Sequence, residues 1–477
     1  MTAKGDILPV LSSLMLQKIS AFLFFAFAAS LPAQSLPATP DQKLAHDIYK
    51  EFVEIQSGYS TGATTPVAEA AARYARAAGF PASDIFLGGA SPRKFNFVVR
   101  LHGTGARKPL LLLAHIDVVE AKREDWSMDP FTLIEKDGFY YGRGTGDDKA
   151  QAAVWLATLI RLKRENFHPD RDLIVALTAD EEGAGPFNGV EWLLKNHREL
   201  IDADFALNEG GWGEAAPNGA KIANDLQVSE KYVISYTFEV RNKGGHSSMP
   251  VPDNAIYHLA GALEKLSQFG FPLKTNEVTA AYFDQMAKID ADPIKADLAQ
   301  VSSGSQAAMA RVAAASPAWN STLRTTCVAT MLAGGHALNA LPQLATASVN
   351  CRVLPEDSPQ YVLDTLNKVV GDPEVHISQI GEKVAGGVPS PMRPDVVGAV
   401  KAANQAVFHG VPVLPIMVVG ATDGRFLRES GIPCYGVQGF FFAPEDMRFH
   451  GRDERMPVKS FYEGQAFLYD LVKRLAS

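Results

Sequence analysis

The most constraining feature of the chain is a set of short, unbroken apolar runs alternating with longer stretches of helical periodicity. Leu110-Leu111-Leu112-Leu113-Ala114 and Leu173-Ile174-Val175-Ala176-Leu177 contain no polar residue. A strand with one face in water alternates apolar and polar residues, whereas a run apolar throughout is buried on both faces, as in a parallel sheet covered by helices. Phe97 to Leu101 reads as another strand, and Gln151 to Arg164, with no Gly or Pro, as a covering helix. Residues from about Asp41 to Ala78 read as Ala-rich helix. The alternation predicts an α/β fold with a central, mostly parallel sheet flanked by helices.

The pattern changes near Lys231. Tyr232 to Val240 and Thr346 to Val353 alternate with period two, as half-exposed antiparallel strands do, and helical stretches at Ala255–Gln268 and about Pro293–Ala314 lie between them. With 477 residues the chain exceeds one ordinary core. These observations divide it into a domain built from 40–229 and 381–477 and an inserted α+β domain at 230–380. The stretches Val413–Val437 and Phe461–Leu475 return to strand and helix.

Lys18 precedes an apolar run from Ile19 to Leu31, shorter than a bilayer span, that ends in Pro32-Ala33-Gln34-Ser35. This is the order of a secretory signal, so residues 1–33 are expected to be a signal peptide, with Met15 an alternative start to Met1. The mature protein is then periplasmic or secreted, with no membrane segment. Acidic residues outnumber basic ones, 53 to 45, for a net charge of -8, which argues against nucleic-acid binding. The three cysteines, Cys327, Cys351 and Cys434, form no C-x-x-C pair and allow at most one disulfide. Cys327 with Cys351 is the pair to test, although three buried apolar cysteines is the preferred reading.

Chemistry-bearing residues gather where strands end, which is where open α/β sheets bind ligands. His115-Ile116-Asp117 follows one apolar run: His115 could ligate a metal while Asp117 accepts its other N–H and fixes the tautomer. Gly142-Arg143-Gly144-Thr145-Gly146-Asp147-Asp148 is glycine-rich but matches no phosphate loop; its carboxylates suit a cation, and Asp147 could bridge two. Asp180-Glu181-Glu182-Gly183 follows another run, one Glu placed to bind metal and the other to act as general base. Asn208-Glu209 and Phe449-His450 add a carboxylate and an imidazole. Nitrogen and oxygen donors without thiolate suit zinc, with cobalt or manganese as substitutes. In the inserted domain, Gly244-Gly245-His246-Ser247-Ser248 lacks the spacing of a nucleophile elbow, but His246 could donate to an oxyanion. Asn339 lies in the same domain, and Arg352 could grip a carboxylate.

In this order, the motifs resemble the dinuclear zinc metallopeptidase family of aminoacylases, glutamate carboxypeptidase, acetylornithine deacetylase and succinyl-diaminopimelate desuccinylase, from about Asp41 to the C-terminus. Within it the chain looks like the branch of Gly-X carboxypeptidase and secreted N-acyl-amino-acid hydrolases. The resemblance implies two zinc ions per chain, held by His115, Asp147 and Glu209 and by Asp147, Glu182 and His450, with Glu181 as general base and Asp117 supporting His115. It implies that His246 contacts the scissile carbonyl, in some members across a dimer interface, so a homodimer through the inserted lid domain is expected. Asn339 and Arg352 are implied to contact substrate, and Gly420 to Arg425 to form a glycine-rich loop near the site. The implied activity is metal-dependent hydrolysis of an amide, releasing a C-terminal or N-acylated amino acid from a small peptide or N-acyl amino acid. A dipeptidase or small-molecule deacylase of the family is the alternative, and a non-catalytic binding protein on this fold a third.

Overall fold

The computed structural model describes residues 36–183, 185–289, 294–381 and 387–477. The signal-peptide reading of 1–33 lies outside the described residues. A ten-stranded sheet forms the larger layer. At its centre the strand Leu110–His115 runs parallel to Leu173–Thr178 on one side and Phe205–Asn208 on the other. All three are buried along their whole length, as unbroken apolar runs require. Cys434–Gly436 continues the parallel set, while Phe95–Leu101 joins antiparallel to Leu173–Thr178.

Alternate side chains of the central strand enter two cores. Leu110, Leu112 and Ala114 pack with Trp155, Phe52 and Phe461 under the helices Pro40–Glu54, Lys149–Arg164 and Val458–Leu475. Leu111 and Leu113 pack with Val190, Ile201 and Leu427 on the opposite face. The helix over Lys149–Arg164 agrees with its expected span.

The Asp41–Ala78 stretch is two helices, Pro40–Glu54 and Thr65–Ala77. Thr39 caps the first with a reciprocal capping box, and Pro66 opens the second. Between them the chain folds on itself so tightly that a Cβ on Gly62 would lie 2.5 Å from the Gln56 carbonyl oxygen. The helix expected at 293–314 is also interrupted. Lys295–Ser302 and Gln306–Ala315 are separated by Gly304, whose φ of +87° is left-handed, and Ser305 caps the second.

A separate antiparallel sheet has the strand order Thr326–Gly334, Leu344–Val353, Tyr232–Arg241, Val375–Ile380. Ile234, Tyr236, Phe238, Ala347 and Val349 point to one face, where Ala255–Gln268 and Pro359–Val370 cover them. Thr346, Ser348, Asn350 and Arg352 alternate onto the other face, half-buried. Cys327 stands directly opposite Cys351 in the register, and the two form a disulfide. The preferred reading of three apolar thiols is therefore corrected: cross-strand register brings together two residues 24 positions apart, and only Cys434 is free and buried.

The helices Glu277–Ile289, Lys295–Ser302, Gln306–Ala315 and Pro317–Leu323 form a further core around Phe283, Leu298, Met309 and Leu323. Their sequence lies between strands of the antiparallel sheet, yet Glu277–Ile289 packs on Val413–Val418, a strand of the larger sheet. Among the described residues, no helix is long and apolar enough to cross a membrane.

Candidate metal centre

Three parallel strands deliver their ends to one edge of the sheet. His115 closes the first, the turn beginning at Asp180 follows the second, and Glu209 follows the third. The peptide joining Asp147 to Asp148, just before the helix Lys149–Arg164, is cis. The two oxygens of Asp147 face different imidazoles: Oδ1 lies 3.0 Å from His115 Nε2 and Oδ2 lies 3.0 Å from His450 Nε2. His450 Nε2 is also 2.8 Å from Glu182 Oε1. Donor atoms of His115, Asp147 and Glu182 lie within 4.8 Å of one another, as do those of His115, Glu181 and Glu209. All six expected ligand and base residues are thus in one cluster around Asp147.

Asp117 is fully buried behind this cluster. Its Oδ1 accepts the Glu181 N–H at 3.1 Å and its Oδ2 accepts the Glu182 N–H at 3.0 Å, so one carboxylate fixes the backbone of both acidic residues. His115 Nδ1 is 3.1 Å from the Asp117 backbone carbonyl and 3.6 Å from its carboxylate. The carbonyl therefore accepts the ring N–H, and the carboxylate stands behind it.

A buried ion pair that sequence reasoning missed joins the loops that carry Asp147 and His450. Arg143 Nη1 is 2.7 Å from Glu454 Oε2, with both side chains at most 3% exposed. Glu454 also accepts the backbone N–H groups of Gly144, Gly146 and Asp147 at 3.2, 2.8 and 3.2 Å. Arg143 reaches the carbonyls of His450 and Gly451 at 3.2 and 3.0 Å. The glycine-rich loop does cradle an anion, but the anion is a carboxylate of the chain itself. The available signal was a buried-type glycine run carrying one Arg and an acidic residue four positions after His450.

The charge balance of the cluster calls for cations. Burial, opposed by His115 and reinforced by Asp423 and Glu182, pushes the Glu181 carboxyl well above the usual range. Burial and the charge of Asp147 do the same to Glu209. Burial would raise Asp147 too, but hydrogen bonds from His115 and His450 hold it low. His450 is pushed up to about 10 by its hydrogen bonds to Asp147 and Glu182. Burial would lower the His115 imidazole, and its contacts with Asp117 and Asp147 outweigh this. Protons on imidazole and carboxyl thus compensate a crowded set of acidic groups, the role a divalent ion fills better. An all-nitrogen-and-oxygen donor set in which one carboxylate faces an imidazole on each oxygen would fit a pair of such ions.

The loop after Val413–Val418 borders this cluster. Thr422 donates to Glu230, and its Cγ2 is 3.3 Å from where a Cβ on Gly210 would stand, beside Glu209. Asp423 accepts from Thr178 Oγ1 at 3.0 Å and from Asn188. Gly420 opens the loop, with only Val418 near its Cβ position. The Arg425 guanidinium lies 4.3 Å from the ring centre of its own neighbour Phe426.

His246 and Asn339 are brought together by a short hairpin ladder. His246 pairs with Ala340 in a two-residue ladder, and the Ser247 N–H donates to the Asn339 carbonyl at 3.0 Å. Both residues are exposed. Ser248 donates its backbone N–H to His246 Nδ1 at 3.1 Å, so the neutral ring carries its proton on Nε2 and presents it outward as a donor. Arg352 is not with them. It lies eight residues along its strand from Leu344, about 27 Å at the strand rise.

Comparison with known proteins places this architecture. The model of the peptidase family M20/M25/M40 matches residues 111–474. Human N-fatty-acyl-amino acid synthase/hydrolase PM20D1 is 30% identical over 377 residues, 77% of this chain and 74% of that protein. Probable carboxypeptidase S-like 2 of Dictyostelium discoideum is 30% identical over 374 residues, 77% of this chain and 71% of that one. Among solved structures, an M20 family metallo-carboxypeptidase, Sso-CP2 from Sulfolobus solfataricus, superposes with a TM-score of 0.68 at 19% identity, covering 91% of this chain and 99% of its own. With its fold shared and its sequence matched across most of its length, the chain belongs to the M20/M25/M40 peptidase family and is a hydrolase of that family.

Proposed function

We propose that the protein is a metal-dependent amidohydrolase that releases a C-terminal or N-acylated amino acid from a small peptide or an N-acyl amino acid. The observation that carries this reading is Asp147 with one imidazole on each oxygen and two further carboxylates, Glu182 and Glu209, close by. His115, Asp147 and Glu209 would hold one ion, and Asp147, Glu182 and His450 the other. Zinc is the proposed occupant, with cobalt or manganese able to substitute. The bound pair would supply Lewis-acid charge to the scissile carbonyl and to the attacking water. Glu181 takes the proton from that water and returns it to the leaving amine. Asp117 holds the Glu181 backbone so that the carboxylate stays aimed.

His246, through its outward Nε2–H, is assigned to the carbonyl oxygen as negative charge develops there. Asn339 and Arg352 are assigned to substrate, Arg352 gripping its free carboxylate, with Gly420 and Arg425 lining the approach. Arg352 lies eight residues, about 27 Å at the strand rise, from Leu344, the start of the strand that follows Asn339. In a homodimer the partner would supply His246 and Asn339. The edge strand Thr326–Gly334 supports that assembly: Val328, Met331 and Leu332 are exposed on an unpaired sheet edge, with Tyr257 exposed on the helix Ala255–Gln268. The antiparallel sheet and its helices, 230–380, would then be the lid and dimerisation domain, and 40–229 with 381–477 the catalytic one. The similarity to an N-fatty-acyl-amino acid hydrolase and to a carboxypeptidase S-like protein supports the substrate class. The Cys327–Cys351 disulfide supports a periplasmic or secreted protein.

The test is release of free amino acid from a panel of N-acyl amino acids and dipeptides, with added zinc and separately with chelator. The expected result is chelator-sensitive release that Glu181→Gln lowers by about 10²–10⁴-fold while metal is retained. A metal-loaded Glu181→Gln enzyme with wild-type turnover would refute the assignment of the base.

A further inference from the structure

Glu181 and Glu182 stand on a turn that belongs to no helix or strand. Asp180, which starts the turn, has a φ of 61°, in the left-handed region that Asp tolerates better than most non-glycine residues. Its surroundings are specific. The Asp180 carboxylate, 2% exposed, pairs with the Lys94 ammonium, which is itself 12% exposed. Lys94 Nζ also donates to the Tyr59 carbonyl at 3.1 Å and lies 4.3 Å from the centre of the Tyr59 ring. The ring in turn presses on the far side of the acidic turn. A Cβ on Gly183 would fall 2.5 Å from Tyr59 Cδ2, and one on Gly185 would fall 1.6 Å from the Tyr59 hydroxyl.

Tyr59 is fixed to the strand end that carries His115 and Asp117. The Ser57 hydroxyl donates to the Ile116 carbonyl at 2.7 Å, Gly58 bridges to Val118, and Glu120 accepts from Ser60 and Thr61. The loop between the first two helices is therefore a strap across the mouth of the sheet, and its one aromatic residue lies against the turn bearing both acidic groups.

We propose that Tyr59 and Lys94 are positioning residues for Glu181, clamping the Asp180–Gly183 turn from outside so that the base is held for proton transfer. The proposal rests on the assignment of Glu181 as base. Asp117 restrains the turn through the N–H groups of Glu181 and Glu182, and Lys94 with Tyr59 restrains it at its ends, through Asp180 and Gly183. A base free to swing loses rate in the chemical step, whereas substrate affinity is set elsewhere and the ion at Glu182 would keep its two other ligands, Asp147 and His450.

The test uses the full-length, metal-loaded enzyme on a substrate from the panel, comparing Tyr59→Leu, Lys94→Met and the double variant with wild type. Each single variant is expected to lower kcat about 10–100-fold with KM within about threefold and metal per chain unchanged, and the double variant to be little worse than the more impaired single one, because the two act as a unit. Lys94→Met leaves the Asp180 charge buried and unpaired, so Lys94→Met/Asp180→Asn serves where the single variant does not fold, with the same loss expected. A kcat within twofold of wild type in folded, metal-loaded Tyr59→Leu overturns the proposal. So does a double variant whose losses multiply, or a loss of kcat that follows loss of metal. A wild-type enzyme without turnover, or one whose turnover survives Glu181→Gln, instead fails the underlying assignment and takes the proposal with it.

Discussion

Replacing Glu454 by Gln should uncouple the two loops that carry Asp147 and His450. The carboxylate accepts four hydrogen bonds, from Arg143 and Gly144 on Oε2 and from Gly146 and Asp147 on Oε1. An amide has one accepting oxygen, so whichever way the substituted side chain turns, its NH₂ faces two donors. Arg143, 3% exposed, is left with the carbonyls of His450 and Gly451 and no counter-charge. Breaking a buried ion pair by removing one partner costs about 3–5 kcal/mol. Outer contacts that orient metal ligands typically contribute about 10–100-fold to metal affinity. Urea unfolding of chelator-treated protein measures the first quantity, and competition with a chromophoric chelator measures the second. Stability within about 1 kcal/mol of wild type together with unchanged metal affinity would refute the reasoning, because that result requires the Arg143–Glu454 pair to carry no load in either loop.

Three further outcomes follow from particular contacts. Reducing the Cys327–Cys351 bridge should cost about 3.5 kcal/mol by the loop-entropy relation for its 24-residue separation, read as a lower urea midpoint of the antiparallel sheet. Cys434, whose thiol burial pushes up to about 12, should stay unlabelled by maleimide until the chain unfolds; rapid labelling of native protein would contradict its placement. At Glu120, burial opposes ionisation, but hydrogen bonds from Ser60 and Thr61 outweigh it and hold the carboxyl at about 2. Its folded value lies below the unfolded one, so it stabilises the strap at neutral pH and loses this as pH falls from about 5 toward 2, a contribution of roughly 1–3 kcal/mol. Glu120→Gln should flatten the acid limb of the stability curve, and an unchanged limb would count against it.

The clustering of residues around Asp147 was legible because the candidate ligands are chemically distinctive and stand where apolar runs stop. His115, the Glu181–Glu182 pair and Glu209 each follow a strand whose burial on both faces shows in composition alone. Asp147 was legible from the glycines before it and the helix after it. Other features depend on distance in space that sequence spacing does not encode. Glu454 and Arg143 are 311 positions apart, and nothing local to either marks the other. Cys327 meets Cys351 only because the register of two strands sets them opposite. The strap at 55–64 was hidden by helical periodicity on both sides, although Gly58, Gly62 and Pro66 interrupt it. The helices from Glu277 to Leu323 carry an apolar face that suits either sheet, and sequence order alone assigned them to the antiparallel one, whereas Glu277–Ile289 packs on Val413–Val418.

A dinuclear centre of this kind requires Asp147 as its bridge. Metal content per chain, measured on wild type and on Asp147→Ala, Glu182→Ala and Glu209→Ala after equilibration with zinc and gel filtration, addresses this directly. The structure predicts two ions in wild type, about one in Glu182→Ala and in Glu209→Ala, and none retained in Asp147→Ala. A single ion in wild type, or one ion held undiminished by Asp147→Ala, would contradict a shared carboxylate and with it the dinuclear centre.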